Sequence, residues 1–157
     1  MNGYDLSFEV VVESPQFDLE PLIELANRVM QGESVSAGTG LSVLVTDDEE
    51  IREMNLRFLG HDEPTDVLSF PDEAGDFVQG IADEAYLGDI AISLDTAVRQ
   101  ANQVGHSLHA EMAHLLVHGI LHLCGYEHDE GGEPAARMRA REEHYLGGLE
   151  HVHVHDH

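Results

Sequence analysis

The sequence predicts a single α+β domain in which one mixed β-sheet of about four strands is covered by helices. The chain has 157 residues, enough for one domain with a sizeable core. Four short apolar segments, the first of which alternates with polar residues, predict strands, and five longer segments predict helices. The order is strand, helix, strand, helix, strand, strand, helix, helix, helix, which suits a mixed sheet covered by helices. We place this domain at residues 1–150.

The first elements follow from apolar periodicity. Residues 6–12 alternate between apolar and polar side chains and predict an amphipathic strand. Asp18 can cap a helix whose apolar face runs from Leu19 to Met30. A Gly-Thr-Gly turn at 38–40 leads into a second strand at 41–45.

The middle of the chain is predicted from capping and stop signals. Thr46 and Glu49 can form a capping box for a second helix, which Gly60 ends. Residues 67–70 predict a short third strand. Residues 72–85 contain two glycines and five acidic residues, and predict a loop or hairpin.

Serine caps introduce the later helices. Residues 87–92 predict the fourth strand, after which Ser93 caps a helix that reaches Val104. Ser107 caps the next helix, and Pro134 opens the last one. The residues of this last helix that we expect to face inward are Met138, Tyr145 and Leu146.

Four histidines lie within residues 114–128, at spacings of four, four and six. His118 and His122 are one helical turn apart and therefore share a face. Gly125 can end the helix in a left-handed turn, which allows His128 to reach the same point. Three histidines with a free fourth position form the catalytic type of zinc site. The sequence therefore predicts one zinc ion at the end of a buried helix, bound by His118, His122 and His128.

These histidines have two simpler explanations. One is a buried histidine whose hydrogen bonds are satisfied within the core, and the other is a polar stripe on an exposed helix. The intervening residues are apolar nearly all round the helix, which favours burial. A buried polar group without a partner costs roughly 1–3 kcal/mol, and one ion would satisfy three imidazoles at once. His114, one turn earlier, could replace His128 as a ligand, although a supporting or core role is favoured.

Gly119 separates this segment from the metalloprotease motif H-E-x-x-H. There, the residue after the first histidine is the glutamate that acts as general base. Glycine at this position disfavours peptide hydrolysis, and we expect it to leave open space beside the metal.

The histidine segment resembles the signature of a known family. Residues 118–128 read HGILHLCGYEH, which is similar to the HGxLHLxGYDH signature of the YbeY family of bacterial ribosome-associated endoribonucleases. Residues 55–71 and 87–90 resemble further family segments in the expected order. The resemblance covers residues 41–146.

The resemblance implies a zinc-dependent endoribonuclease selective for single-stranded RNA. The implied role is maturation of ribosomal RNA, notably the 3′ end of the small-subunit RNA, and ribosome quality control. The implied partners are ribosomal RNA and small ribosomal subunit proteins. Glu127 replaces the usual aspartate, and Leu59 replaces an arginine that is common in the family. Arg57 is the candidate catalytic substitute, although two positions on a helix face nearly opposite directions.

Metal-assisted phosphodiester hydrolysis requires further groups, for which the sequence offers candidates. Asp66 and Asp89 could orient a ligand imidazole, or could serve the turn and strand ends where they lie. Thr65 and Ser69 could bind phosphate, or could finish a turn. No residue is assigned as general base. The nucleophile could be water or the RNA 2′-hydroxyl.

Two other functions remain open at this point. One is a metallohydrolase that acts on an amide or a small ester. The other is a non-enzymatic ribosome-assembly factor with a structural metal.

The formal net charge is −24, with no lysine and seven arginines. Nucleic-acid enzymes normally carry a basic footprint, so this composition argues against RNA unless the charge is locally compensated. A bound metal supplies local positive charge, and salt screens repulsion. The composition suggests adaptation to a salty cytoplasm.

The remaining composition indicates a cytoplasmic protein without a membrane partner. No stretch approaches the roughly 20 apolar residues of a membrane span, and no secretory signal is visible. The single cysteine, Cys124, fits a reducing compartment and predicts a buried small apolar residue. The histidine-rich tail, residues 151–157, is expected to be disordered.

Overall fold

The computed structural model describes residues 4–12, 18–71, 86–125 and 132–153, with side chains of the last helix described from residue 136 to residue 147. The predicted order of elements is confirmed within these ranges. The elements are β1 (Asp5–Val10), α1 (Glu20–Gly32), β2 (Gly40–Thr46), α2 (Asp48–Leu59), β3 (Val67–Pro71), β4 (Tyr86–Ser93), α3 (Leu94–Val104), α4 (Leu108–Leu123) and α5 (Gly132–His153). The predicted loop at 72–85 lies outside the described residues.

The four strands form one mixed sheet in the order β1-β2-β4-β3. β2 pairs parallel with β1 and with β4, whereas β3 pairs antiparallel with β4. The register between β2 and β4 shifts after Gly40, so that Leu41 pairs with Gly88. Gly88 has a φ of +152°, and a Cβ there would lie 2.5 Å from the Phe70 carbonyl oxygen. Glycine therefore allows β3 to approach β4 closely at this point.

Each face of the sheet packs against different helices. Because successive strand residues point to opposite faces, Ile90 and Ile92 share one face and Ala91 lies on the other. Ile90 and Ile92 belong to the main core with α1, α4 and α5. Ala91 packs with Ile51 of α2 and Leu68 of β3 in a smaller cluster. Hence α4 and α2 lie on opposite faces of the sheet.

The predicted cap of α2 is wrong by one residue. Asp47 is the N-cap, and its side chain accepts from the Glu50 backbone N–H at 2.9 Å. Thr46 instead continues β2, where it pairs with Ser93 of β4, and its hydroxyl donates to Glu50 Oε1 at 2.5 Å. The strand runs one residue further than its apolar pattern indicated, which displaces the cap.

The serine caps are confirmed. Ser93 Oγ accepts from the Thr96 N–H at 3.2 Å, and Ser107 Oγ accepts from the Ala110 N–H at 3.0 Å. Asp18 accepts from the Glu20 N–H at 3.3 Å, although the N-cap of α1 is Leu19. Side-chain acceptors therefore fix the starts of both α3 and α4.

The last helix, α5, begins two residues before Pro134, which lies in its first turn. Met138, Tyr145 and Leu146 are buried, as predicted. The helix ends at His153, so three residues of the histidine-rich tail belong to it, and residues 154–157 lie outside the described residues. None of the described helices combines the length and the apolar character that a membrane span needs.

Candidate metal centre

The helix α4 is buried on nearly all sides, as its apolar sequence predicted. From Glu111 to Leu121 every residue is buried except His114 and His118. His122, one turn further on, is exposed. The three histidines therefore form the single open strip of this stretch, at positions i, i+4 and i+8.

The rings on this strip are close neighbours. The ring centroids of His118 and His122 lie 6.1 Å apart with planes at 87°. His114 lies 6.3 Å from His118 on the other side, nearly parallel at 23°. The predicted shared face is confirmed, and the pair His118–His122 offers two imidazole nitrogens at an accessible place.

A carboxylate of α5 holds one of these rings. Nδ1 of His118 lies 2.7 Å from Oε2 of Glu142. In a neutral imidazole, Nδ1–H donates to the carboxylate and leaves Nε2 as the lone-pair nitrogen. Histidines that bind metals usually have such a partner on their second ring nitrogen. The arrangement suits His118 as a ligand through Nε2.

Glu142 was not among the residues predicted from the sequence, although a signal was present. Glu142 lies four residues after Met138 and four before Leu146, which are both buried on the inward stripe of α5. A carboxylate in the middle of an apolar stripe requires a partner, because burying an unpaired charge is costly. That pattern alone indicated that Glu142 makes a polar contact on the inward side of α5.

The donor set fits a metal ion with nitrogen ligands, as far as it is described. Two imidazoles share one open strip, and one of them has a carboxylate partner. Among the described residues, no third His, Cys, Asp or Glu joins them in a group able to hold an ion. His128, the third predicted ligand, lies outside the described residues. Gly125 adopts the predicted positive φ, at +107°, directly after α4.

The expected role of Gly119 is wrong. A Cβ at residue 119 would lie 3.0–3.3 Å from three side-chain carbons of Ile90, so this position faces the sheet. Glycine here allows α4 to pack closely on β4, and it does not open space beside the metal. A glutamate at this position would be directed into the core, so the protease base could not act from it.

The proposed role of Asp66 and Asp89 in orienting a ligand imidazole is not supported. Asp66 accepts from the Val67 N–H at 2.8 Å and from the Gln100 side chain at 3.4 Å, which stabilises the start of β3. Asp89 accepts from the Tyr86 hydroxyl and lies on the face of the sheet opposite to α4. Asp66 therefore serves a strand end, which was the alternative explanation, whereas Asp89 lies within β4, paired with Ser42 and Phe70.

The two hydroxyl candidates differ in their distance from the histidine strip. Ser69 donates to the Gly119 carbonyl at 3.4 Å, which places it against α4 at the residue after His118. Thr65 donates to Asp66 Oδ1 at 3.3 Å, in the turn before β3. Phosphate binding by either residue stays a prediction.

Arg57 and Leu59 are exposed residues near the end of α2, on the sheet face away from α4. The Arg57 guanidinium lies 5.7 Å from the ring centroid of Phe58, whose ring contacts Phe70 at 5.3 Å. Within the described ranges, no contact joins Arg57 to the histidine strip. Its catalytic role stays a prediction.

Cys124 follows the histidine strip along the chain. Burial, and then the nearby charge of Glu33, raise the pKa of its thiol to about 11. The thiol is therefore protonated at neutral pH. Cys124 packs against the main core but is only half-buried, so the predicted burial is partial.

Comparison with known proteins supports the family resemblance. The family model for endoribonuclease YbeY matches residues 9–150. The endoribonuclease YbeY of Roseiflexus castenholzii is 46% identical over 123 residues, 78% of this chain and 77% of that protein. The endoribonuclease YbeY of Aquifex aeolicus is 50% identical over 111 residues, 69% of each chain. The endoribonuclease YbeY of Chloroflexus aggregans is 44% identical over 144 residues, 90% of this chain and 94% of that protein.

A solved structure supports the fold. The solution structure of a protein from Thermotoga maritima superposes with a TM-score of 0.60 at 24% sequence identity. The match covers 94% of this chain and 93% of the other. The α+β architecture is therefore shared at low sequence identity.

Proposed function

The chain belongs to the YbeY family of endoribonucleases, and from this premise we propose that it is zinc-dependent and cleaves single-stranded RNA. We propose that its substrate is ribosomal RNA, notably the 3′ end of the small-subunit RNA, and that it acts in ribosome quality control. The observation that carries the zinc dependence is the open strip of α4, where His118 faces outward with Glu142 on its Nδ1.

We propose that His118, His122 and His128 hold the ion. When bound, zinc supplies a Lewis acid that polarises a phosphoryl oxygen and lowers the pKa of a water molecule toward ~7. The chain's own residues prepare that site. Glu142 orients the ring of His118 through Nδ1, and the close packing of Gly119 on Ile90 fixes α4 against the sheet. Ser69 offers a hydroxyl beside the strip.

The charge of the protein restricts how RNA can bind. Three arginines of the described part already bind carboxylates: Arg52 with Asp62, Arg99 with Asp48 and Arg141 with Glu33. With a net charge of −24, few phosphates can be neutralised. We propose that uncharged donors such as Ser69 and Thr65, together with the ion and Arg57, bind a short stretch of RNA.

We also propose small ribosomal subunit proteins as partners and the cytoplasm as compartment, since the family implies both. The single cysteine, Cys124, suits a reducing compartment.

A non-enzymatic assembly factor is the second candidate, and one observation favours it. Leu59 stands where family members commonly carry an arginine, and it is 52% exposed. Leu56 and Phe58 beside it are also exposed large apolar residues, so the end of α2 suits protein contacts.

A comparison of substrates separates these functions. Zinc-loaded protein is offered single-stranded RNA, the same sequence as a duplex, a peptide amide and a small ester. We expect cleavage of the single strand well above that of the other three. Faster hydrolysis of the amide or ester supports the rival metallohydrolase, and no hydrolysis of any substrate supports the assembly factor.

A further inference from the structure

We infer that α5 carries a positioning device for the metal centre, in which Glu142 orients His118 and a cluster of Glu33, Arg141 and Tyr145 holds Glu142 in register. The inference rests on the proposed zinc site. It assigns a function to Glu33, the C-cap residue of α1, and to residues of α5, none of which is proposed as a metal ligand.

Glu142 lies in a largely buried place, where a charged side chain requires a partner. Its side chain is 13% exposed and that of His118 is 20% exposed, so water screens their 2.7 Å contact weakly. The residues four before and four after it on α5, Met138 and Leu146, are buried apolar side chains. The Glu142 carboxylate is thus a polar group on the core-facing stripe of α5, and it contacts the imidazole of His118.

The contact selects one tautomer of His118. A free imidazole side chain favours the form protonated at Nε2, in which the outward nitrogen has no lone pair for a metal. A carboxylate on Nδ1 stabilises the opposite form, in which Nδ1–H donates to Glu142 and Nε2 carries the lone pair. Glu142 therefore prepares His118 before any ion arrives.

The cluster next to Glu142 fastens α5 to α1. Arg141 donates to Glu33 Oε2 through Nε at 2.9 Å and through a terminal nitrogen at 2.8 Å. The Tyr145 hydroxyl donates to the same oxygen at 2.6 Å and accepts from Arg141 at 2.9 Å. Arg28 of α1 adds a bond to the Tyr145 carbonyl at 2.7 Å. The Glu33 side chain is only 8% exposed, so the cluster is well shielded.

Because Arg141 and Glu142 are adjacent in sequence, the contacts that attach α5 to α1 also fix the position of Glu142. Arg141 and Glu142 are consecutive residues of one helix, so Arg141 faces α1 while Glu142 faces His118 on α4. Movement of α5 along α1 by one residue would shift Glu142 by about 1.5 Å, whereas a working site tolerates about 0.5 Å. Loosening the cluster should therefore weaken metal binding without altering a ligand.

The first test uses Glu142→Ala, Glu142→Gln and the matched control Glu143→Ala, which removes an exposed carboxylate from the adjacent position. Zinc affinity is measured by competition with a chromophoric chelator. We expect Glu142→Ala to lose about 10–100-fold in affinity. Glu142→Gln, which keeps an acceptor oxygen, should lose less, and Glu143→Ala should match the wild type.

The second readout requires neither zinc nor RNA. Two-bond proton–nitrogen NMR spectra of the metal-free protein report the tautomer of His118. We expect the Nδ1–H form in the wild type and in Glu143→Ala, with a shift toward the Nε2–H form in Glu142→Ala. An unchanged tautomer together with unchanged zinc affinity in Glu142→Ala overturns the inference.

Glu33→Gln tests the anchor. We expect a several-fold loss of zinc affinity and a weaker Nδ1–H population in the metal-free protein. A lower unfolding midpoint of Glu33→Gln with both readouts unchanged shows that the cluster is merely structural, and overturns this part. Failure of RNA cleavage with the tautomer effect intact counts against the proposed nuclease alone.

Discussion

Gly119 of α4 lies against Ile90 of β4 so closely that a methyl group at residue 119 would come within 3.0 Å of Ile90 Cδ1. This contact sets the distance between the sheet and the helix that carries the histidine strip. His118, the residue before Gly119, belongs to the histidine strip and is only partly buried, whereas Gly119 is buried. Packing against the sheet and the proposed metal binding thus involve adjacent residues of α4.

Gly119→Val should destabilise the protein by about 1–3 kcal/mol, because the added carbons overpack the contact with Ile90. Denaturant unfolding measures this change. The control is Gly147→Ala on α5, where a Cβ meets no neighbour within 4 Å. Alanine there should stabilise by about 0.5–1 kcal/mol. Equal stability of Gly119→Val and wild type would show that the close packing is unimportant.

Purified protein should contain about one tightly bound zinc per chain, because three histidines with an open position suit that ion. Elemental analysis after dialysis measures the content. His122→Ala should lose the metal, whereas His109→Ala, which removes a histidine at the opposite end of α4, should retain it. Full zinc content in a triple variant of His118, His122 and His128 would place the site elsewhere.

Alkaline conditions should weaken the fold through Tyr145. Burial, and then its hydrogen bond to Glu33, raise the pKa of Tyr145 from 10.0 to about 12. A raised folded-state pKa means that the protonated form stabilises the fold. This contribution is complete below pH 10 and is lost as the pH rises through 12. Tyr145→Phe should flatten the fall in unfolding free energy between pH 10 and pH 12, and an unchanged slope would contradict the assignment.

Arg57→Ala should weaken RNA binding or cleavage, whereas Arg137→Ala should change them little. Few phosphates are expected to be neutralised, so affinity should fall only shallowly with added salt. The expected slope is about −0.7 per phosphate contact for single strands. Affinity measured over a salt series gives this slope. Wild-type binding and cleavage in Arg57→Ala would show that Arg57 does not compensate for Leu59.

Local signals predicted most of the fold. Apolar periodicity gave the order of nine elements, and the serine caps at Ser93 and Ser107 gave helix starts to the residue. The cap at Thr46 failed because sheet pairing with Ser93 extended β2 over it. Strand ends depend on the partner strand, which local sequence does not contain.

The site was predicted where its groups lie on one helix and missed where they do not. Helical spacing was enough to place His118 and His122 on one face. Glu142 is 24 residues from His118, so its role depended on how α5 packs against α4. Gly119 was misinterpreted for a similar reason, because the direction of residue 119 toward Ile90 is set by helix–sheet packing.

Zinc-dependent cleavage of single-stranded RNA is the central claim, and reconstitution of metal-stripped protein tests it most directly. The stripped protein should be inactive, and about one equivalent of zinc should restore cleavage to the level before stripping. The variant His118→Ala, His122→Ala should remain inactive at the same zinc concentration. If wild-type protein with zinc bound cleaves no single-stranded RNA at any salt concentration, the assembly-factor function should replace the nuclease function.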